Sequence, residues 1–187
     1  MFTEGLLIRL DVGCGDRPEG DVNVDRAVGE SEHLYFSARH INPKQIPNFV
    51  RADAHYLPFK DHTFQEVLCS HTLEHLRNPR LAIQEMQRVA NGCVEIRLPV
   101  KAHEQFQTRF VPQRRAYVEA YHRHAYSLKD VRRMFPFANV RQTYFVFRVL
   151  QHLRDYYRWT LAFAKFLFYT FGSTCFPPIP DELVVTW

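Results

Sequence analysis

Four short apolar runs constrain this chain more than anything else in it: Leu6–Val12, Asp21–Asp25, Asn48–Asp53 and Glu66–Ser70, of which the last three end on a polar side chain. Runs of this length, rich in Val, Leu and Ile and set between turn-forming residues, read as strands. Three more follow at Cys93–Val100, Asn139–Val149 and Glu182–Trp187. Helical patterns lie between them, and parallel neighbours need crossover connections, so the expected fold is α/β with a mostly parallel, doubly wound sheet. The closing run Glu182–Trp187 follows a proline-rich turn and could pair antiparallel with the sixth strand.

The helices are punctuated clearly. In "NPRLAIQEMQRVANG", Asn78 is placed to cap, Pro79 suits the first turn, Leu81, Ile83, Met86, Val89 and Ala90 mark an apolar face, and Gly92 marks the end. In "YSLKDVRRMF", Ser127 with Asp130 three residues on has the form of a capping box. Residues 101–125 are polar, rich in Arg and His, and lack clean periodicity, so a long connection over the strand ends, a candidate substrate lid, is expected there. Residues 151–171 are long and apolar enough for a helix, within a helical insertion over 151–178. Arg154, Asp155, Arg158 and Lys165 interrupt it too often for a membrane span. It would pack on the core or on a second copy of the chain as a homodimer face, with peripheral membrane contact as the alternative.

With 187 residues, 46% of them hydrophobic, the chain fits one domain over 1–187 and is not disordered. A formal charge of +4 permits but does not force phosphate partners. Cys14, Cys69, Cys93 and Cys175 form no C-x-x-C pair, which speaks for a reduced cytoplasm, and the opening residues lack the apolar length of a secretory signal.

The chemistry gathers at the strand ends. "LDVGCGD" places Asp11-x-Gly13-x-Gly15 where a strand runs into a loop, and glycine there lets backbone approach a ligand that a side chain would exclude. Asp25 closes the second strand, where a carboxylate can accept both hydroxyls of a ribose. Asp53 closes the third, where it could accept from an exocyclic adenine amine, with the Ala54 N–H beside the ring.

At these residues the chain resembles the class I S-adenosylmethionine-dependent methyltransferases, closest to the branch acting on small molecules, lipids and sugars. "LDVGCGDRP…VNVD" is followed in order and spacing by "ADAHYLPFKDHTFQEVLCSHTLEHL", so the likeness covers about residues 6–100. The resemblance implies a Rossmann-like, seven-stranded sheet with an antiparallel last strand, and S-adenosyl-L-methionine as cofactor. It also implies that Asp11, Gly13, Cys14 and Gly15 surround the amino acid end of the cofactor. Asp25 would hold the ribose and Arg26 lie against the adenine, while Asp53 and Ala54 read its edge. Ser70 and His71 would sit under the methionine arm. Only residues 16–24 separate Gly15 from Asp25, so the first helix is expected to shrink to about a turn, and Asp16 and Arg17 stand where the common fingerprint has a third glycine.

Other readings compete. His71, Glu74 and His75 spell H-x-x-E-H, the ligand pattern of one class of zinc peptidase, which needs both histidines on one helical face. The alternating context speaks against it, and no metal is assigned. His71 could instead accept a proton from an attacking hydroxyl or amine. In the lid, His103, Arg114, His122 and His124 are the candidate acceptor-binding residues, with Arg115 and Arg123 beside them. Methylation of RNA or another nucleic acid ranks behind a small-molecule acceptor, because "SHTL" stands where amino-methylating DNA enzymes carry an N-P-P-Y type tetrapeptide. A cofactor-binding module without turnover is the remaining class.

Overall fold

A computed structural model describes residues 8–27, 29–30, 40–110, 112–143 and 182–187, with side chains at 29–30, 40, 106–107, 110 and 112–114 outside the description. The strands are β1 (Arg9–Val12), β2 (Val22–Asp25), β3 (Gly29–Glu30), β4 (His40–Ile41), β5 (Phe49–Arg51), β6 (Phe64–Ser70), β7 (Ala90–Pro99), β8 (Asn139–Thr143) and β9 (Glu182–Thr186). The helices are α1 (Pro79–Val89), α2 (Lys101–Phe110), α3 (Pro112–Tyr121) and α4 (Leu128–Met134). Seven strands form one sheet in the order β5-β2-β1-β6-β7-β9-β8, while β3 and β4 form a separate antiparallel ladder. The pairs from β5 to β7 are parallel, and β9 runs antiparallel to both β7 and β8. This is the α/β architecture expected from the sequence, antiparallel last strand included.

One face of the sheet is apolar. Leu10, Val67, Cys69, Ile96, Leu98 and Val185 are fully buried there. α1 presents Ala82, Ile83, Met86 and Val89 to the same core, a spacing that keeps one stripe inward over three turns. Each such large side chain contributes roughly 1.5–3 kcal/mol by leaving water. Asn78 caps this helix, its side chain accepting from the N–H of Leu81, and Pro79 occupies the first turn where its missing N–H costs nothing.

The other face is polar. Arg9 grips Glu66 through two nitrogens at 2.8 Å, and Arg97 reaches Glu95 at 2.7 Å and Glu19 at 3.0 Å. No helix forms between β1 and β2, and among the described residues the turn and loop of residues 13–21 lies on that side. Asp11 and Asn23, paired across β1 and β2, are buried beneath it.

Several boundaries differ from the sequence reading. α1 ends at Val89, and Gly92 lies inside β7 rather than at a helix end. A Cβ at Gly92 would stand 2.3 Å from the Gln65 carbonyl oxygen, so close strand packing explains the glycine. Within residues 101–125, expected as an irregular connection, Lys101–Phe110 form α2 and Pro112–Tyr121 form α3, and the two helices lie against each other. Ser127 and Asp130 form the capping box at the start of α4 as expected. The segment 151–178 lies outside the described residues, as does Cys175, and no described helix is long and apolar enough to cross a membrane.

Replacing Gly92 by alanine should force β6 and β7 apart and lower stability by about 2 kcal/mol. A urea midpoint unchanged from the parent would show that the strands yield at no cost.

Candidate functional site

The glycine loop is shaped by two close approaches. Gly13 has φ +78°, and a Cβ there would lie 2.1 Å from Thr72 Oγ1, so the loop packs directly on the segment after β6. Gly15 has φ +56°, and a Cβ there would meet nothing within 4 Å, so its outer side faces open space. The N–H groups of Gly13 and Cys14 both point to the Val24 carbonyl, at 2.7 and 3.1 Å. Asp25 completes the tether: Oδ2 accepts from Gly15 N–H at 2.9 Å and Oδ1 from Ala27 N–H at 2.8 Å. Each carboxylate oxygen has a second lone pair, which leaves Asp25 able to accept from a ligand's hydroxyls.

Asp11 is 3% exposed, and its Oδ2 accepts from the N–H of Glu19 at 2.9 Å. Burial outweighs that bond and pushes its carboxyl up to about 6. Cys14 is buried with Ile41 and Ile46 in a small second core under the loop. Burial, then Asp25 and Asp11 nearby, push its thiol up to about 12, so this residue offers backbone and packing rather than a thiolate.

At the end of β5, Asp53 accepts from the backbone N–H of His55 at 2.9 Å and pairs with its ring Nδ1. The Asn78 N–H donates to the other ring nitrogen, Nε2, which places the His55 proton on Nδ1, toward Asp53. Burial alone would raise the Asp53 carboxyl, but these bonds to His55 hold it below its ordinary value. Arg26 stands 3.6 Å from Asp53 and is largely exposed, while Ala54 beside it is buried. Asp11, Gly13, Gly15, Asp25, Arg26, Asp53 and Ala54 thus gather at the carboxyl ends of the adjacent strands β1, β2 and β5. This is where open α/β sheets bind ligands.

Ser70 ends β6, and His71 follows in the left-handed region at φ +49°. His71 Nε2 bonds Glu182 Oε1 at 2.9 Å, and Nδ1 lies 3.6 Å from Glu74 Oε1. Burial opposes a charge on this ring, but the bond to Glu182 and the nearness of Glu74 prevail and push it up to about 9. Both carboxylates are buried. His71 thus stands at the strand end with a carboxylate near each ring nitrogen. The peptidase geometry is absent: Leu73–His75 is a single 3-10 turn, so His71 and His75 do not share an α-helical face.

The segment after α3 folds onto that turn. The N–H groups of Arg123 and His124 donate to the Glu74 carbonyl at 2.8 and 3.1 Å, and His124 Nε2 bonds the Leu76 carbonyl at 2.9 Å. His122 is only 5% exposed, against Glu104. His122 and His124 thus lie against the segment that follows β6. His103 lies partly buried in α2, Arg115 pairs with Glu119 on the exposed side of α3, and the Arg114 side chain is outside the description. Sequence reasoning missed Glu104, Arg97 and Glu182. The alternation Val94-Glu95-Ile96-Arg97-Leu98 was the signal for Arg97, because it marks a strand with one polar face.

Residues 22–92 match a family model described as a methyltransferase domain. No curated protein sequence matches the chain. Among solved structures, the fold is similar to an S-adenosylmethionine-dependent methyltransferase of Thermotoga maritima, described as a possible histamine N-methyltransferase. That likeness has a TM-score of 0.57 at 13% identity and covers 96% of this chain and 80% of that one. It is similar to a Mesorhizobium loti enzyme of the same cofactor class, with a TM-score of 0.57 at 12% identity over 96% and 89% of the two chains. An Archaeoglobus fulgidus counterpart gives 0.54 at 14% identity over 98% and 86%.

The buried Asp11 predicts a pH dependence of stability. Its folded value lies above the unfolded one of 3.8, so its stabilisation is complete below that value and is lost as pH rises through about 6. Urea titrations from pH 4 to 7 should show the parent losing up to about 3 kcal/mol relative to Asp11→Asn. Parallel profiles for the two proteins would mean that Asp11 titrates normally.

Proposed function

We propose that this chain, a class I S-adenosylmethionine-dependent methyltransferase, transfers a methyl group to a small-molecule acceptor of the lipid- or sugar-linked kind. The observation that carries the cofactor half of this reading is Asp25. Its carboxylate fastens the glycine loop to the end of β2 and keeps lone pairs for a ribose, beside the open side of Gly15 and next to Asp53. The residues fit such a cofactor. Carboxylates at three strand ends suit a ligand that offers hydroxyls and amino groups, and a Cβ at Gly15 would meet nothing within 4 Å.

When bound, the cofactor supplies a methyl group already activated on sulfur. The protein's task is then alignment more than proton transfer. In this reading Asp25 holds the ribose hydroxyls, Arg26 lies against the adenine, and Asp53 with the Ala54 N–H reads its edge. Asp11, bound to the loop's own backbone at Glu19, keeps Gly13, Cys14 and Gly15 in the shape that takes the amino acid end. Ser70 and His71 stand at the end of β6 beside the reacting centre. His71, held between Glu182 and Glu74, is the candidate to take a proton from an attacking hydroxyl or amine of the acceptor. The branch-level acceptor follows from the resemblance over residues 6–100. Free thiols at Cys14, Cys69 and Cys93 fit a reducing cytoplasm.

Calorimetry should show the folded chain binding S-adenosylmethionine and S-adenosylhomocysteine. Asp25→Ala should weaken both by a factor of about ten or more, since it removes an acceptor of charge-assisted bonds worth about 1.5–3 kcal/mol. Absence of binding by the folded parent would sink the reading, and unchanged affinity in the variant would place the ribose elsewhere.

A further inference from the structure

Every buried side-chain nitrogen or oxygen without a hydrogen-bond partner among the described residues belongs to one cluster. The atoms are Glu74 Oε2, both carboxylate oxygens of Glu104, and His122 Nδ1. Glu104 Oε1 and His122 Nδ1 face each other at 2.6 Å as an ion pair, which leaves Glu74 Oε2 as the orphan beside the histidines, and buried polar atoms are otherwise almost always paired. They lie where three elements meet: the 3-10 turn after β6 carries Glu74 and His75, α2 carries Glu104, and His122 follows α3. One donor atom from each of Glu74, His75 and His122 lies within 4.8 Å of the other two.

We propose that Glu74, His75 and His122 bind a divalent first-row transition-metal cation such as Zn²⁺, Mn²⁺ or Co²⁺. Two imidazoles and one carboxylate form a donor set that such ions favour over Mg²⁺ or Ca²⁺. The surroundings orient the rings as ligands are oriented. His75 Nδ1 lies 3.0 Å from the Tyr121 carbonyl, which holds a proton on that nitrogen and leaves the lone pair on Nε2, the atom 4.0 Å from Glu74 Oε1. Glu104 stands 2.6 Å from His122 Nδ1 without the alignment of a hydrogen bond. A carboxylate behind a histidine is the usual outer support of a metal ligand, and it leaves Nε2 of His122 to the ion. With ligand bonds of about 2.1 Å, donors around a tetrahedral ion are about 3.4 Å apart, so the three side chains would draw in by about an ångström. Glu74, His75 and His122 sit on opposite sides of the contact between the turn and the α2–α3 pair. A cation there would therefore pin that pair to the end of β6.

The site is independent of the cofactor reading and is tested without activity. The full chain, stripped with a chelator, should take up one equivalent of Co²⁺ with visible absorption of a nitrogen- and oxygen-ligated ion, and its melting temperature should rise. The ring protons of His75 and His122 should shift before those of the other eight among ten histidines. Glu74→Gln and His122→Gln should each lower Co²⁺ affinity by a factor of about ten or more, which is 1.4 kcal/mol or more. No uptake by the folded parent, first shifts at other histidines, or unchanged affinity in folded variants would each overturn the proposal.

Discussion

Everything at the carboxyl ends of β1 and β2 depends on closing two parallel strands with a loop too short for a helix. β1 and β2 pair in parallel, yet only residues 13–21 join them. Backbone bonds from Gly13 and Cys14 to Val24, and the carboxylate of Asp25 on Gly15, hold that loop against the end of β2. The positive φ at Gly13 and Gly15 makes the path possible. The carboxylate proposed to hold the ribose is thus also the one that shapes the loop. Structure and the proposed ligand recognition share a single side chain.

The same economy leaves its mark on the sheet. A full crossover helix would have covered the second face with apolar side chains. Without it, β1, β6 and β7 place arginine and glutamate there, and ion pairs replace part of the packing. Half-exposed pairs of this kind contribute little to stability, so the fold leans on the other face, where α1 and the buried aliphatic rows meet.

At the end of β6 the chain concentrates charge where it is expensive to do so. Glu74, Glu104 and Glu182 are buried there with His71, His75 and His122 around them. Such groups persist only when opposite charges or ligands compensate them. His71 compensates Glu182 and one oxygen of Glu74, from a backbone position at φ +49°. The remaining orphaned atoms set this end of the sheet apart from an ordinary hydrophobic core.

Local signals in the sequence determined the elements. The seven apolar runs became the seven strands of the main sheet, Asn78 and Ser127 cap the helices they precede, and the acids Asp11, Asp25 and Asp53 lie at the strand ends as their spacing implied. These features depend on residues close along the chain, so periodicity and punctuation reveal them. Only the tertiary structure decided the partnerships across long separations. Gly92 looked like a helix stop because its need, a close approach by Gln65 of the neighbouring strand, is invisible along the chain. Residues 101–121 lacked a clean apolar stripe because their inward side is partly charged, Glu104 included. The motif His71-x-x-Glu74-His75 could not announce its geometry. His71 is claimed by Glu182, which is 111 positions away, and His75 meets His122 through a turn of 3-10 rather than α form. The sequence by itself determined where the strands end and which acids stand there. Which carboxylate faces which imidazole was decided only when the chain closed, because a buried charge takes the partner that packing brings to it.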